Sequence, residues 1–197
     1  MITCQSGRRV NPWEITEDDL CVEDIAHSLA LINRFGGHTR EPINVAWHSC
    51  CVAWLVGYKF PHGAHAWSGR TIRRQALLHD ASEAFLADMN RWVKQHPDME
   101  AYRILERDVQ GCIYNKWTCP NQMTYPVQWA DDLMVRLEMS LGYDAWPTDN
   151  PNFGPLNTEE SDLVVNALQN TYECPDWREA ERIFLEQFAL VAPVNPV

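Results

Sequence analysis

Apolar residues recur at intervals of three and four positions along most of the chain, the spacing of one face of an α-helix. The first such run begins at Val22 and is predicted to stop at Gly36-Gly37, and a second begins near Pro42. A third is expected to continue from Thr71 through Leu86. The later predicted helices run from Met99 to Trp117, from Pro126 onward, from Thr158 to Asn170 and from Pro175 to Val191. The pattern predicts an all-α fold.

The segments outside these runs are short and rich in turn-forming residues. Near the N-terminus, Ile2-Thr3-Cys4 and Arg8-Arg9-Val10 flank Ser6-Gly7 and can pair as a small hairpin. The chain has 197 residues and no internal repeat, which is enough length for one sizeable core. We therefore predict one compact helical domain over residues 1–197, in which the two C-terminal helices, within 158–191, pack on the rest.

The charge balance excludes some partners. Lys and Arg total 16 against 27 Asp and Glu, so the net charge is -11 and the molecule repels nucleic-acid backbones and anionic membranes. We expect neither kind of partner. A small anionic substrate would need local basic residues or a metal ion to overcome this field.

Cysteine usage and the lack of a long apolar run indicate the compartment. The 7 cysteines are an odd number without a tight framework, and the adjacent Cys50 and Cys51 are typical of small buried apolar side chains. No stretch approaches the roughly 20 apolar residues of a membrane span. The sequence thus favours a reduced, cytoplasmic protein, in a bacterium or a phage-infected host.

The candidate chemistry centres on His79-Asp80, which interrupts the apolar run around Leu77 and Ala81. Burying an unpaired carboxylate costs several kcal/mol, and a metal ion would remove that cost. His48 and Asp131 lie on other core-facing stripes, and mixed imidazole and carboxylate ligands suit divalent ions. For each residue alone the alternative remains open, since a buried histidine often bonds a backbone carbonyl.

This order of residues, a His, then His-Asp, then Asp on successive helices, resembles the HD-domain superfamily of metal-dependent phosphohydrolases. The run from His79 to Ala84, followed by Asp88 and Lys94, is similar to bacterial 5'-deoxynucleotidases and phage dATP triphosphohydrolases. Upstream, Arg34 to Thr39 and Val45 to Ser49 resemble a phage and bacterial branch of this group. The similarity covers about Val22 to Glu138.

The resemblance implies that His48, His79, Asp80 and Asp131 bind one divalent ion, which could be cobalt, manganese, zinc or magnesium. Asp132 competes with Asp131, which we prefer because it follows Ala130 as the family ligand does and shares a face with Glu138. The resemblance also implies that Asp80 and Glu83 are the catalytic residues, Glu83 acting as the acid and base that handles the attacking water. A hydrogen-bond partner of a metal-binding histidine is the alternative for Glu83.

The same resemblance assigns substrate contacts. Arg34 and Lys94 would bind phosphate, Phe35 would pack on the sugar and disfavour a 2'-hydroxyl, and Asp88 would bind the 3'-hydroxyl. Surface charge is the alternative for the two cations, and a core anchor is the alternative for Phe35. The loop from Asp88 to Lys94 lacks the two prolines of the family pattern, so we expect the side that faces the base to differ from that of the family.

Together these features imply hydrolysis of a deoxynucleotide, first of all as a 5'-deoxynucleotidase that releases phosphate from a deoxynucleoside monophosphate. The first alternative is a triphosphohydrolase that cleaves a deoxynucleoside triphosphate into deoxynucleoside and triphosphate. A metal-free binding module is a second alternative, and hydrolysis of a cyclic dinucleotide or alarmone is a third. The 9 tryptophans could cover a subunit interface, and members of the family that this sequence resembles are commonly oligomers. Both favour a homo-oligomer, a dimer or larger.

Overall fold

A computed structural model describes residues 1–144, 155–168 and 173–193. The predicted all-α fold is confirmed in these residues, as is the small N-terminal hairpin. Strands β1 (Ile2–Thr3) and β2 (Arg9–Val10) pair antiparallel, with Ile2 opposite Val10. The α-helices are α1 (Val22–Leu31), α2 (Val45–Lys59), α3 (Gly69–Leu77), α4 (Glu83–Leu86), α5 (Arg91–Lys94), α6 (Glu100–Lys116), α7 (Tyr125–Gly142), α8 (Thr158–Ala167) and α9 (Trp177–Val191).

Helix α2 lies at the centre of the fold. It packs against α1, α3, α7, α8 and α9, and its residues are buried on nearly every side. A helix that is apolar all round is stable only when other helices cover all of its faces. Cys50 and Cys51 are fully buried in it, as predicted. A polar side chain on α2, such as His48, therefore needs a specific partner in the core.

Three helix boundaries differ from prediction by more than two residues, and two of them are the end of α1 and the start of α2. Helix α1 ends at Leu31 rather than at Gly36-Gly37, because the chain then turns back and Asn33 pairs with Asn44 in an isolated antiparallel bridge. Helix α2 begins at Val45 rather than near Pro42, because the side chain of Asn44 accepts the N–H of Trp47 and caps it.

The third difference concerns the predicted helix from Thr71 to Leu86, which is two helices. α3 ends at Leu77, and His79 and Asp80 lie in the turn before α4. The Nδ1 atom of His79 lies 2.7 Å from the carbonyl oxygen of Ala76, the acceptor that a continuous helix would offer to the Asp80 N–H. The histidine side chain thus helps to end the helix and to fix its own ring.

Helices α8 and α9 pack on the helices that precede them. α9 contacts α1, α2 and α3, and α8 contacts α2. The predicted end of α8 at Asn170 lies outside the described residues, as does most of the stretch between α7 and α8. No helix within the described ranges has the length and apolar character to span a membrane.

We expect Asp176→Ala to lower the free energy of unfolding by about 1 kcal/mol, the usual value of an N-cap side chain. One carboxylate oxygen of Asp176 accepts the N–H groups of Arg178 and Glu179, at 2.8 and 3.1 Å, at the start of α9. Urea unfolding followed by circular dichroism measures the change. Asp108→Ala, on the exposed middle of α6, is the matched control. Equal unfolding midpoints for the two variants would contradict this account of the cap.

Candidate metal centre

Four side chains from three parts of the fold converge where α2, α3 and α7 meet. His48 comes from α2, His79 and Asp80 from the turn after α3, and Asp131 from α7. Ligand atoms of the first three lie within 4.8 Å of one another. Asp131 Oδ1 lies 3.0 Å from His48 Nε2 and 3.6 Å from His79 Nε2. The structure therefore groups His48, His79 and Asp80 as residues that could hold a metal ion, and it places Asp131 beside both histidines.

The backbone and a second carboxylate fix the tautomers of the two histidines. His79 Nδ1 faces the carbonyl oxygen of Ala76, and His48 Nδ1 lies 2.9 Å from Glu138 Oε1. Both partners only accept hydrogen bonds, so each Nδ1 carries a proton. The Nε2 atoms of both rings then point toward each other and toward Asp131. Neutral rings present lone pairs there, an arrangement that a cation stabilises.

The spacing of the ligand atoms fits a single divalent ion. Donors bound about 2.0–2.2 Å from one ion, at tetrahedral or adjacent octahedral positions, lie about 2.8–3.6 Å apart. The two Nε2 atoms are 3.3 Å apart, and Asp80 Oδ2 is 3.2 Å from His79 Nε2. Asp80 Oδ2 lies slightly beyond this range from His48 Nε2, at 3.8 Å. Two imidazole nitrogens and two carboxylates match the donor preference of several divalent transition metals.

The pKa values of the clustered side chains also indicate that the centre of the cluster favours positive charge. Burial lowers the pKa of His79, but the carboxylates of Asp80 and Asp131 together raise it by more. The net pKa of His79 therefore lies well above the usual range. Burial raises the pKa of Asp131, but hydrogen bonds from His48 and His79 lower it well below its usual range. Burial also raises the pKa of Asp80, but the charge of His79 and its hydrogen bond lower it below its usual range. Two ionised carboxylates thus face the centre, where a divalent cation can replace the protons on the histidines.

The ambiguity between Asp131 and Asp132 has a geometric answer. Asp131 faces the histidines, whereas Asp132 is exposed on the neighbouring side of α7. Burial and the charge of Asp131 raise the pKa of Asp132, and Arg91 lowers it. Successive residues on a helix point about 100° apart, so only one of the pair can reach the centre.

Glu138 is a site residue whose role the sequence analysis missed. It is fully buried on α7, with one oxygen near His48 Nδ1 and the other 3.0 Å from Arg34 Nε. Its position seven residues after Asp131, two helical turns away on the same face, was the available signal. A carboxylate at that position of a buried stripe needs a partner, as His79-Asp80 did.

Glu83 begins α4 directly beside the centre. Its side chain is buried, and Oε2 has no hydrogen-bond partner among the residues that the structure describes. Burial raises the pKa of Glu83 well above its usual range, and the charges of Asp80 and Asp88 raise it further. A buried carboxyl group without a partner is costly, and such groups are concentrated at functional sites.

Arg34 lies in a tight turn between α1 and α2. Its Nη1 atom is 3.2 Å from Asp80 Oδ2, so the guanidinium reaches the metal ligands. Phe35, Gly36 and Gly37 all have positive φ, and for the phenylalanine, at 57°, this conformation is strained. The Phe35 ring is half-buried, 5.5 Å from the Arg34 guanidinium carbon, and packs edge-on against Tyr143. Strain of this kind persists only where the surroundings enforce it.

Asp88 and Lys94 lie on the segment after α4. Burial raises the pKa of Asp88, and the nearby charges of Arg34 and Lys94 lower it, so these groups share one electrostatic environment. Lys94 Nζ lies 2.6 Å from Glu106 Oε1 on α6. Nothing in the sequence marked Glu106, because its position on α6 is that of an ordinary half-exposed glutamate. The predicted phosphate lysine is therefore already held by a carboxylate.

Comparison with known proteins identifies relatives that cover most of the chain. The uncharacterized protein YfdR of Escherichia coli is 33% identical over 147 residues, which are 72% of this chain and 74% of YfdR. An uncharacterized protein of Rhodobacter capsulatus is 33% identical over 139 residues, which are 68% of either chain. No protein-family model matches.

Proposed function

This chain belongs to the family of the Escherichia coli protein YfdR, and we propose that it is a metal-dependent phosphohydrolase that cleaves the phosphate ester of a 5'-deoxynucleotide. The single observation that carries the proposal is the convergence of His48, His79, Asp80 and Asp131, with the Nε2 atoms of both histidines facing inward. The resemblance to HD-domain phosphohydrolases, noted from the sequence, gives this cluster its expected chemistry.

The neighbours of the cluster supply the remaining parts of a hydrolytic site. A divalent cation held by the four ligands would supply Lewis-acid activation of water and of a phosphoryl oxygen. Glu83, whose Oε2 atom has no hydrogen-bond partner within the described ranges, would take the proton of the attacking water. Arg34 would bind phosphoryl oxygens as their negative charge grows in the transition state. These roles use groups that would otherwise be costly to bury.

The preference for a deoxynucleotide rests on Phe35 and Asp88. The strained turn at Phe35 holds a half-buried ring beside Arg34, where it can pack against a sugar and exclude a 2'-hydroxyl. Asp88 lies close enough to Arg34 for the guanidinium charge to lower its pKa, and it would accept a hydrogen bond from the 3'-hydroxyl. The preferred substrate is therefore a deoxynucleoside monophosphate rather than its ribose counterpart.

Phosphate release distinguishes the substrate classes. Metal-stripped protein is supplied with manganese or cobalt and incubated with dAMP, dGMP, AMP, dATP or dGTP, with and without pyrophosphatase. We expect free phosphate from the deoxynucleoside monophosphates and much less from AMP. Phosphate that appears only from triphosphates, and only after pyrophosphatase treatment, would contradict the nucleotidase activity and favour the triphosphohydrolase alternative.

We expect Lys94→Met to lower kcat/KM about 10- to 100-fold, because a hydrogen bond to a charged group contributes about 1.5–3 kcal/mol and 1.36 kcal/mol is tenfold. The change removes the cation that would bind phosphate and leaves Glu106 without its partner. The loss should appear mainly in KM for the monophosphate.

Lys59→Met is the matched control for this change. Lys59 is exposed at the end of α2, and its substitution removes the same charge without touching the site. A fall in kcat/KM of equal size in both variants would point to the overall charge of the molecule, and would contradict a contact between Lys94 and phosphate.

A further inference from the structure

Glu138 joins the metal ligands to the proposed phosphate-binding residue. It is fully buried on α7, and its two oxygens are divided between partners from different parts of the chain. Oε1 lies 2.9 Å from His48 Nδ1 on α2, and Oε2 lies 3.0 Å from Arg34 Nε in the turn after α1. Each oxygen meets one of these two donors, so the carboxylate connects His48 and Arg34.

The contact with His48 selects the nitrogen that can bind a metal. Because a carboxylate only accepts, His48 Nδ1 carries the proton and Nε2 keeps its lone pair for the centre. His79 is held by a neutral carbonyl oxygen, that of Ala76, instead of a carboxylate. A carboxylate partner makes an imidazole the more basic ligand. The two histidines of the cluster are therefore not equivalent, and His48 depends on Glu138.

The contact with Arg34 fixes the plane of the guanidinium. Glu138 holds Nε, and Asp80 Oδ2 lies 3.2 Å from Nη1. Arg34 Nη2 makes no hydrogen bond to the described residues. Two fixed nitrogens leave the third in a defined position for an anion, since the guanidinium is planar and rigid.

We propose that Glu138 is a positioning residue that holds the metal-binding nitrogen of His48 and the phosphate-binding guanidinium of Arg34 in one arrangement. Its loss then weakens metal binding and phosphate binding through two separate contacts. This inference rests on the proposed function, because it takes the cluster as a metal centre and Arg34 as a phosphate contact.

The first test is the affinity of Glu138→Gln for manganese, measured by isothermal titration calorimetry. A glutamine has one acceptor oxygen and one donor group, so it can satisfy His48 or Arg34 but not both. Manganese should bind about 10- to 100-fold more weakly, the usual effect of removing a hydrogen-bond partner of a metal ligand. Glu181→Gln is the matched control, because Glu181 Oε2 lies 3.1 Å from His27 Nδ1 between α1 and α9, outside the site. It should bind manganese as the wild type does.

The second test separates the two contacts with a double-mutant cycle. Inorganic phosphate is titrated into manganese-saturated wild type, Glu138→Gln, Arg34→Ala and the double variant. Glu138→Gln should weaken phosphate binding in the wild-type background and have no further effect when Arg34 is absent. Its effect on manganese affinity should persist in both backgrounds. An equal loss of phosphate affinity with and without Arg34 would overturn the proposal.

A third measurement uses only the wild-type protein, so it does not depend on whether a variant folds. In zinc-loaded wild type, ¹⁵N-edited NMR of the histidine side chains should find His48 protonated at Nδ1, and an unprotonated Nδ1 would overturn the proposal. Wild type that binds no divalent ion would contradict the proposed function, and this inference with it. Wild type that binds one ion, while Glu138→Gln binds it equally well, would overturn the inference and leave the proposed function standing.

Discussion

The variant His79→Ala is expected to lose both its divalent ion and its hydrolytic activity. His79 offers Nε2 to the centre and is 3.3 Å from His48 Nε2 and 3.2 Å from Asp80 Oδ2, so its removal opens one side of the cluster. A metal ion contributes several kcal/mol of transition-state stabilisation, which corresponds to a fall in kcat/KM of about 10³-fold or more. Metal analysis of the purified variant and phosphate release from dAMP measure the two effects.

His62→Ala is the control for this variant. His62 lies exposed in the loop between α2 and α3, so its substitution removes an imidazole without touching the centre. It should keep one equivalent of metal and wild-type activity. If His79→Ala held as much metal as His62→Ala, the cluster would not be the metal site.

The second large effect is expected for Glu83→Gln, which should lower kcat about 10²- to 10⁴-fold, the usual contribution of a general acid or base. An amide occupies almost the same volume as the carboxyl group but cannot take the proton of the attacking water. Because Glu83 is not one of the four ligands, the variant should still hold one equivalent of metal. Single-turnover phosphate release and metal analysis on the same sample separate the two properties.

Glu100→Gln is the matched control for Glu83→Gln, since Glu100 is exposed at the start of α6. It should have the kcat of the wild type. Loss of metal from Glu83→Gln would instead indicate that Glu83 acts through the ligands, as the partner of a histidine, and not on water. A kcat equal to that of the wild type would remove Glu83 from the mechanism.

Helix periodicity predicted the fold because apolar stripes decide which faces are buried. It failed at His79-Asp80, where the stripe from Leu77 to Phe85 continues through the turn and no glycine or proline marks the break. The break involves a hydrogen bond between a histidine side chain and the carbonyl oxygen of Ala76. A side-chain contact of this kind leaves the spacing of apolar residues unchanged.

The residues of the candidate site also fall into two groups, those that the sequence predicted and those that only the structure identifies. The four candidate ligands could be selected from the sequence because polar groups on core-facing stripes need partners, and because their order resembles that of the HD-domain superfamily. The roles of Glu138 and Glu106 were missed, since each role depends on a contact across the fold: Glu138 with Arg34 and His48, and Glu106 with Lys94. Glutamates are common on helices, and sequence spacing alone does not identify which of them is buried against a cation.

The paired carboxylates also refine the expected role of Lys94. In the sequence it was a cation available for phosphate, whereas in the structure it is held by Glu106. Arg34 is likewise held between Glu138 and Asp80. Both cations are therefore oriented before any anion arrives, which lowers the entropy that binding must overcome.

We propose above all that this protein hydrolyses a deoxynucleotide phosphate ester with the help of one divalent ion bound in the cluster. The most direct test of this claim is phosphate release from dAMP by metal-stripped protein, measured as manganese is added in fractions of an equivalent. We predict no release without metal, and a rate that rises linearly to a plateau at one equivalent under tight-binding conditions. Release that is unaffected by the metal, or no release at any manganese concentration, would contradict the claim.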